Sequence, residues 1–400
     1  MTEHNLPEFS TLIIGLVAIA GGDFICDKIN VLKRLAIPPA VVGGLFIAVL
    51  KYGIENVFDI RIDFATQLRD LLILVFFVAL GFTAKLGALR AGGKPLIIIC
   101  LVTVVLLAIQ NVIGIAAALA GDVHPFYGLL AGSVSFVGGP GTALAWAKEG
   151  TALGLEHTEL VGLSAATFAV ASGAIVSGPV VSWIIKRHNL KSESEVEASA
   201  DYNEVAMENK VTGSQAKFIT TLLLVLVAVW LGKLLHQFAA TNNFMLPGFL
   251  CALMIGILIT NLADLSNLKL PVMQIDRIGE IALQTFLAIS MMSLKLNAIG
   301  VILIPLTGIV ILQVVVSIAV AYFILFRALG KNFDAAVTVG GFLGYGISSM
   351  PVAMATMEQI SRRFGPAPNA ILLITLAGSF FVDFANAFIV KGFVSILHLF

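Results

Sequence analysis

The chain has 400 residues, 58% of them hydrophobic and only 12% charged, with acidic and basic side chains in equal number and a mean hydropathy of +1.00. Soluble domains carry roughly 25% charged residues, so an ordinary soluble protein is excluded, and zero net charge gives no electrostatic basis for binding nucleic acid. Apolar runs of about 20 residues recur along the chain, each able to cross about 30 Å of hydrocarbon, which predicts an all-α polytopic membrane protein.

Ten spans are predicted in chain order, at 11–29, 37–53, 70–89, 95–120, 160–186, 216–237, 245–262, 279–298, 301–326 and 369–392. Residues 1–10 contain Glu3 and Glu8 and no Lys or Arg, so they lack the positive start of a secretory signal. The cluster Lys28, Lys33 and Arg34 follows the first span instead, which places the N-terminus outside and the cluster inside. In this orientation both termini are outside, and 17 of the 24 Lys and Arg residues lie on the inner side, as the positive-inside rule requires. Residues 187–215 are the one long polar stretch and read as a flexible cytoplasmic linker between two halves.

Two further segments reach membrane depth by hydropathy but cannot be ordinary spans. Residues 128–147 read GLLAGSVSFVGGPGTALAWA and residues 335–355 read AAVTVGGFLGYGISSMPVAMA, each with a glycine cluster and a proline inside an apolar stretch. In lipid, broken backbone survives only where protein or a water-filled cavity satisfies its polar groups. Re-entrant hairpins at 126–147 and 334–357 are therefore expected. A matched pair of interrupted segments points to the binding site of a secondary transporter.

The halves align weakly. Pro38 matches Pro247, Lys85 matches Lys295, Pro95 matches Pro305, Phe126 matches Phe333 and Thr167 matches Thr375, at offsets of 207 to 210 residues. Each half, 1–186 and 216–400, holds five spans and one hairpin. Five is odd, so the second half enters the membrane from the opposite side and the pair forms an inverted repeat. The first hairpin then dips in from outside and the second from inside, with their tips meeting near the midplane.

A half-helix whose N-terminus points at the midplane offers unpaired N–H groups and partial positive charge, which suits a carboxylate. In the first hairpin Gly138, Gly139 and Gly141 let backbone approach a ligand, Pro140 interrupts the helix, and Ser133, Ser135 and Thr142 add hydroxyls. Gly344, Gly346, Ser348 and Ser349 take the matching part in the second. These are the candidate substrate ligands, joined by Asn111 in span four, which with Gln110 either lines the cavity or bonds across helices. Polar residues inside spans are costly. Asp383 and Asn386 share one face of span ten, as a candidate sodium site or as a structural hydrogen-bonded pair. Thr167 and Thr375 hold matching places after the hairpins, and either face sodium or bond back to their own helices.

Other polar and special residues read more plainly. Isolated glycines such as Gly15 and Gly256 suit close helix packing. Asp23 and Asp27 are placed beside the Lys28–Arg34 cluster, Arg69 and Asp70 as a solvated ion pair, and Trp146, Trp183 and Trp230 as interface anchors or packing. Cys26, Cys100 and Cys251 lie inside apolar runs as small hydrophobes, and no two histidines have metal-ligand spacing. Neither a nucleophile–base pair nor a P-loop is present, which argues against an enzyme and against ATP-driven transport. A channel-like pore is the alternative of another class, and would want a continuous polar lining.

The chain resembles the bacterial sodium/glutamate symporters over nearly its whole length. The likeness is carried by IPPAVVGGL (37–45), LRD (68–70), LRAGG (89–93), QNVIGI (110–115), GLLAGS (128–133), GGPGTALAW (138–146), ATF (166–168), GKNFDAAV (330–337), GYG (344–346), RFGP (363–366) and FVDFANAFIVK (381–391). It implies sodium-coupled uptake of glutamate across the bacterial inner membrane, with Na⁺ as coupling ion and no organic cofactor. It also implies a lipid-embedded homodimer whose hairpins form a moving, elevator-like core. The family carries His where this chain has Pro140, Gly where it has Ala143, and Thr where it has Met350 and Val352. Loss of polar groups beside a site changes its preferred ligand, so another carboxylate or amino acid is the alternative substrate.

Overall fold

A computed structural model describes residues 2–29, 38–58, 60–65, 67–84, 87, 92–192, 215–241, 246–266, 268–294 and 299–397. The first half runs β1 (Thr2–Leu6), α1 (Glu8–Lys28), α2 (Pro39–Phe58), β2 (Ile60–Phe64), α3 (Gln67–Thr83) and α4 (Gly93–Ala120). Three short helices follow, α5 (Pro125–Leu130), α6 (Ser133–Phe136) and α7 (Gly139–Ala152), and then α8 (Thr158–Arg187). The second half runs α9 (Gln215–Thr241), α10 (Gly248–Leu265), α11 (Val272–Met292), α12 (Ile299–Ala319), a π-helical turn at Val320–Leu325 and α13 (Phe326–Ala328). It ends with α14 (Phe333–Ile347), α15 (Met350–Phe364), α16 (Pro368–Leu376), a second π-helical turn at Ala377–Phe381 and α17 (Val382–Ile396).

Each expected span falls on helical chain, the ninth and tenth interrupted by π-helical turns, and among the described residues six helices are long and apolar enough to cross a membrane on their own. The chain is a multi-pass, mostly helical membrane protein. Helix α11 begins seven residues before its expected span, because hydropathy marks the hydrocarbon layer rather than the helix. Asp276, Arg277 and Glu280 stay exposed on one face of α11 while Ile275 and Gly279 are buried on the other. The parallel β1–β2 pair, with Thr2 opposite Ile60, was not expected from sequence. Lys33, Arg34, the Lys85–Lys295 match and positions 193–214 of the expected linker lie outside the described residues.

Two bundles emerge from the packing. Helices α1, α2 and α3 pack with α9, α10 and α11. Helices α4, α8, α12 and α14–α17 pack together with α5–α7. Each half of the chain thus gives its first three long helices to one bundle and its remaining helices to the other. Gly256 serves helix packing as expected: a Cβ there would lie 2.5 Å from the Val78 carbonyl oxygen, so α3 and α10 meet backbone to backbone. Trp146 of α7 is fully buried and packs edge-on to Phe249 of α10, so the first broken segment reaches across to the other bundle.

Candidate functional site

The first broken segment is a helical hairpin. Its entry and exit lie side by side: the Tyr127 hydroxyl donates to the Glu156 carbonyl at 2.6 Å, and a Cβ on Gly150 would touch the Phe126 ring at 2.5 Å. The backbone breaks between α5 and α6, and again at Gly138–Gly139. Gly139 has a φ of +66°, a left-handed conformation that most side chains disfavour, and Pro140 follows in the first turn of α7 with its fixed φ and missing N–H.

The second segment is a tighter hairpin of α14 and α15. Gly340 and Gly341 face Thr356 and Met357, while Gly344 faces Ala353, the pairing order of antiparallel arms. The turn is Ser348–Ser349, and both backbone N–H groups donate to the Gly344 carbonyl, at 3.0 and 2.9 Å. At the base of this hairpin, Asn369 donates to Asp334 at 3.4 Å.

The two turns meet. A Cβ on Gly139 would lie 3.9 Å from the Ser348 carbonyl oxygen, so the N-termini of α7 and α15 converge inside the second bundle. Beside them, Ser133 joins three elements. Its Oγ lies 2.9 Å from Asn111 Oδ1 on α4 and 2.6 Å from Asn386 Oδ1 on α17. One hydroxyl proton serves two acceptors there, leaving an oxygen-rich cluster suited to a cation. Asn111 Oδ1 also accepts from the Ser133 backbone N–H, and Asn386 Nδ2 donates to the Ser133 carbonyl. All three residues are buried, and Asn111 Nδ2 has no partner.

The remaining candidates sort by what they touch. Ser135 donates to the Leu130 and Gly162 carbonyls, tying the broken segment to α8. Thr142 is nearly buried one turn into α7 and packs over Gly138. Gly141 faces Leu283 and Phe76 of the other bundle, and Gly344 is filled by the backbone of α15, so both serve close approach of helices. Gly346 offers its carbonyl to Gln110 at 2.9 Å. Ser348 is buried against Gly173, and Ser349 holds the N-cap position of α15 in an extended conformation without a side-chain capping bond. Thr167 and Thr375 both donate to the carbonyl four residues earlier, at 2.8 Å, which leaves only their lone pairs for any cation. Asp383 sits one turn before Asn386, just past the π-helical turn at Ala377–Phe381, and π-turns of this kind recur at functional sites.

Three features were missed from sequence. Gln313 and Ser317 of α12 complete a buried amide network with Gln110, and neither stands in a motif that would mark it. The π-turns have no composition signal. Arg69 and Asp70 are not an isolated solvated pair: Arg69 binds Glu159 of α8 at 3.1 Å, and Asp70 binds Lys148 of α7 at 2.6 Å. These pairs link the two bundles beside a cavity of about 320 Å³ whose lining includes Gln67, Asp70, Lys148, Glu149, Lys233 and His236. Burial pushes the Glu149 carboxyl above its ordinary value, against the opposing pull of His236, Lys148 and Lys391.

Residues 4–366 match the sodium/glutamate symporter family. Curated relatives named sodium/glutamate symporter, from Haemophilus influenzae and Escherichia coli, are each 32% identical, covering 99% and 97% of this chain and the same shares of their own. The chain belongs to the sodium/glutamate symporter family. It is accordingly a secondary transporter and not an enzyme. Among solved structures, a sodium proton antiporter from Methanocaldococcus jannaschii is 12% identical over 98% of this chain and 99% of its own, with a TM-score of 0.45.

Proposed function

We propose that this chain is a sodium-coupled symporter that imports glutamate across the bacterial inner membrane by alternating access. The observation that carries the reading is the convergence of two half-helix N-termini at Gly139 and Ser348, beside a buried cluster that holds both an unpartnered donor and surplus oxygens. The helix ends and the Asn111 amide would receive a carboxylate. Asn386, Ser133 and the neighbouring Asp383 would hold Na⁺ through oxygen ligands, with Thr167 and Thr375 contributing lone pairs. Binding the cation first offsets the cost of placing an anionic substrate in a dry site.

In this reading, residues 1–186 and 216–400 are inverted repeats joined by the cytoplasmic linker 187–215, both termini are outside, and the hairpins at 126–147 and 334–357 are re-entrant from opposite faces. The bundle containing both hairpins is the mobile core. The bundle of α1–α3 and α9–α11 is the fixed scaffold of a homodimer, against which the core moves like an elevator. A different carboxylate or amino acid is the second reading for the cargo, because Pro140, Met350 and Val352 place apolar side chains next to the turns.

Uptake into proteoliposomes tests this directly. Radiolabelled glutamate, aspartate, dicarboxylates and neutral amino acids are compared with and without an inward sodium gradient. Glutamate accumulation that collapses without sodium supports symport, whereas sodium-independent flux down the substrate gradient points to a pore.

A further inference from the structure

Gln110 of α4 and Gln313 of α12 are fully buried where their helices cross, beside the breaks of both hairpins. Gln110 Nε2 donates to the Gly346 carbonyl at 2.9 Å and to Ser317 Oγ at 3.2 Å. Gln313 Nε2 donates to the Gln110 carbonyl at 2.8 Å and to the Ala131 carbonyl at 3.4 Å. Because carbonyl oxygens can only accept, these partners fix which end of each amide is nitrogen. The other ends, Gln110 Oε1 and Gln313 Oε1, are buried with no hydrogen-bond partner. Two orphaned acceptors, on side chains joined by the Gln313 Nε2 to Gln110 carbonyl bond and each with its nitrogen satisfied, call for a positive ligand or a trapped water.

We infer that Gln110 Oε1 and Gln313 Oε1 ligate a monovalent alkali cation at this crossing, as a position separate from the Asn111–Ser133–Asn386 cluster. The inference rests on the sodium-coupled reading and adds a location to it. Neutral amide oxygens are hard ligands that stabilise a single positive charge, whereas a divalent ion is normally held by carboxylates. The same two side chains hold the Ala131 and Gly346 carbonyls, one from each hairpin. A cation drawn to their free ends therefore orders the backbone of both hairpins at once. Gln110 and Ser317 also stand 207 residues apart, the offset that separates Phe126 from Phe333 at the two hairpin entries, so the position lies between corresponding parts of the two halves.

The test uses the full-length protein in detergent and in proteoliposomes. Thermal unfolding is followed in sodium chloride against choline chloride at equal ionic strength, and the sodium concentration for half-maximal uptake is measured. Gln110→Met and Gln313→Met remove the oxygens, and each is expected to shrink the sodium-specific stabilisation and raise half-maximal sodium about tenfold. Ser317→Ala breaks a neighbouring bond, leaves both oxygens in place, and is expected to keep the sodium response. Gln313→Glu guards against simple misfolding of the Met variants: it loses the same Nε2 bonds as Gln313→Met but keeps a charged oxygen ligand, so its half-maximal sodium should lie well below that of Gln313→Met.

Sodium responses equal to those of the unmodified protein in both Met variants and in Gln313→Glu would mean that these oxygens hold water, and would overturn the inference while leaving sodium coupling intact. An unmodified protein with neither sodium-specific stabilisation nor sodium-dependent uptake would overturn the underlying reading together with this one.

Discussion

Two serines, two residues apart and both fully buried, are expected to answer the same substitution in different readouts. Ser133 Oγ lies between the Asn111 and Asn386 side-chain oxygens, at 2.9 and 2.6 Å, in the proposed cation cluster. Ser135 Oγ donates to the Leu130 and Gly162 backbone carbonyls and touches no candidate ligand group. Replacing either with Ala strands a buried acceptor at a cost of about 1–3 kcal/mol. For Ser135→Ala that cost falls on stability alone, so the thermal midpoint drops while half-saturating sodium and glutamate stay within about twofold of their starting values. For Ser133→Ala the lost oxygen also belongs to the loaded site, so the same 1–3 kcal/mol appears as roughly a 5- to 150-fold rise in half-saturating sodium. Both quantities are read on one preparation, by thermal unfolding in detergent and by sodium titration of uptake in proteoliposomes. Equal shifts in sodium affinity for the two variants, or a Ser133→Ala protein that loses stability only, would refute the distinction drawn between a ligating and a tethering hydroxyl.

Other expectations follow from the same geometry. Gly344→Val pushes a branched side chain into the backbone of α15 at Ala353 and should abolish uptake with the protein still inserted, whereas Gly21→Ala, with nothing within 4 Å, should leave uptake unchanged. Asp383→Asn should raise the sodium requirement; an unaltered sodium titration would remove this carboxylate from the cation site. The Asp70–Lys148 pair joins the two bundles, but Lys148 is 52% exposed, so Lys148→Ala should shift the balance of conformations by no more than about fivefold, or ~0.2–1 kcal/mol. The readout is the labelling rate of a cysteine placed at Gln67 in the adjacent cavity, and the effect should fade at high salt. Cross-linking cysteines at positions 70 and 148 should stop turnover reversibly if the bundles must slide past each other, and continued uptake by the cross-linked protein would exclude that motion.

The long apolar helices and the two interrupted segments are readable from the chain alone, because the bilayer constrains sequence so tightly: about 20 apolar residues for a span, and no unsatisfied backbone in lipid without a compensating surround. The glycines and prolines at 138–141 and 344–351 therefore mark broken helices in the sequence itself. Sequence could not decide which of those glycines faces a ligand and which merely admits another helix. Gly139 proved to stand at the meeting of the turns, while Gly141 and Gly344 are occupied by neighbouring elements. It could not separate Ser133 from Ser135, since both read as hydroxyls in one apolar run. Nor could it single out Gln313 and Ser317, whose roles depend on α12 crossing α4 at Gln110. Hydropathy and backbone chemistry are properties of a segment and survive in the linear chain. Hydrogen-bond partnership, and the orphaned atoms it leaves behind, depend on which helix faces are brought together, and only the packed bundles determine that.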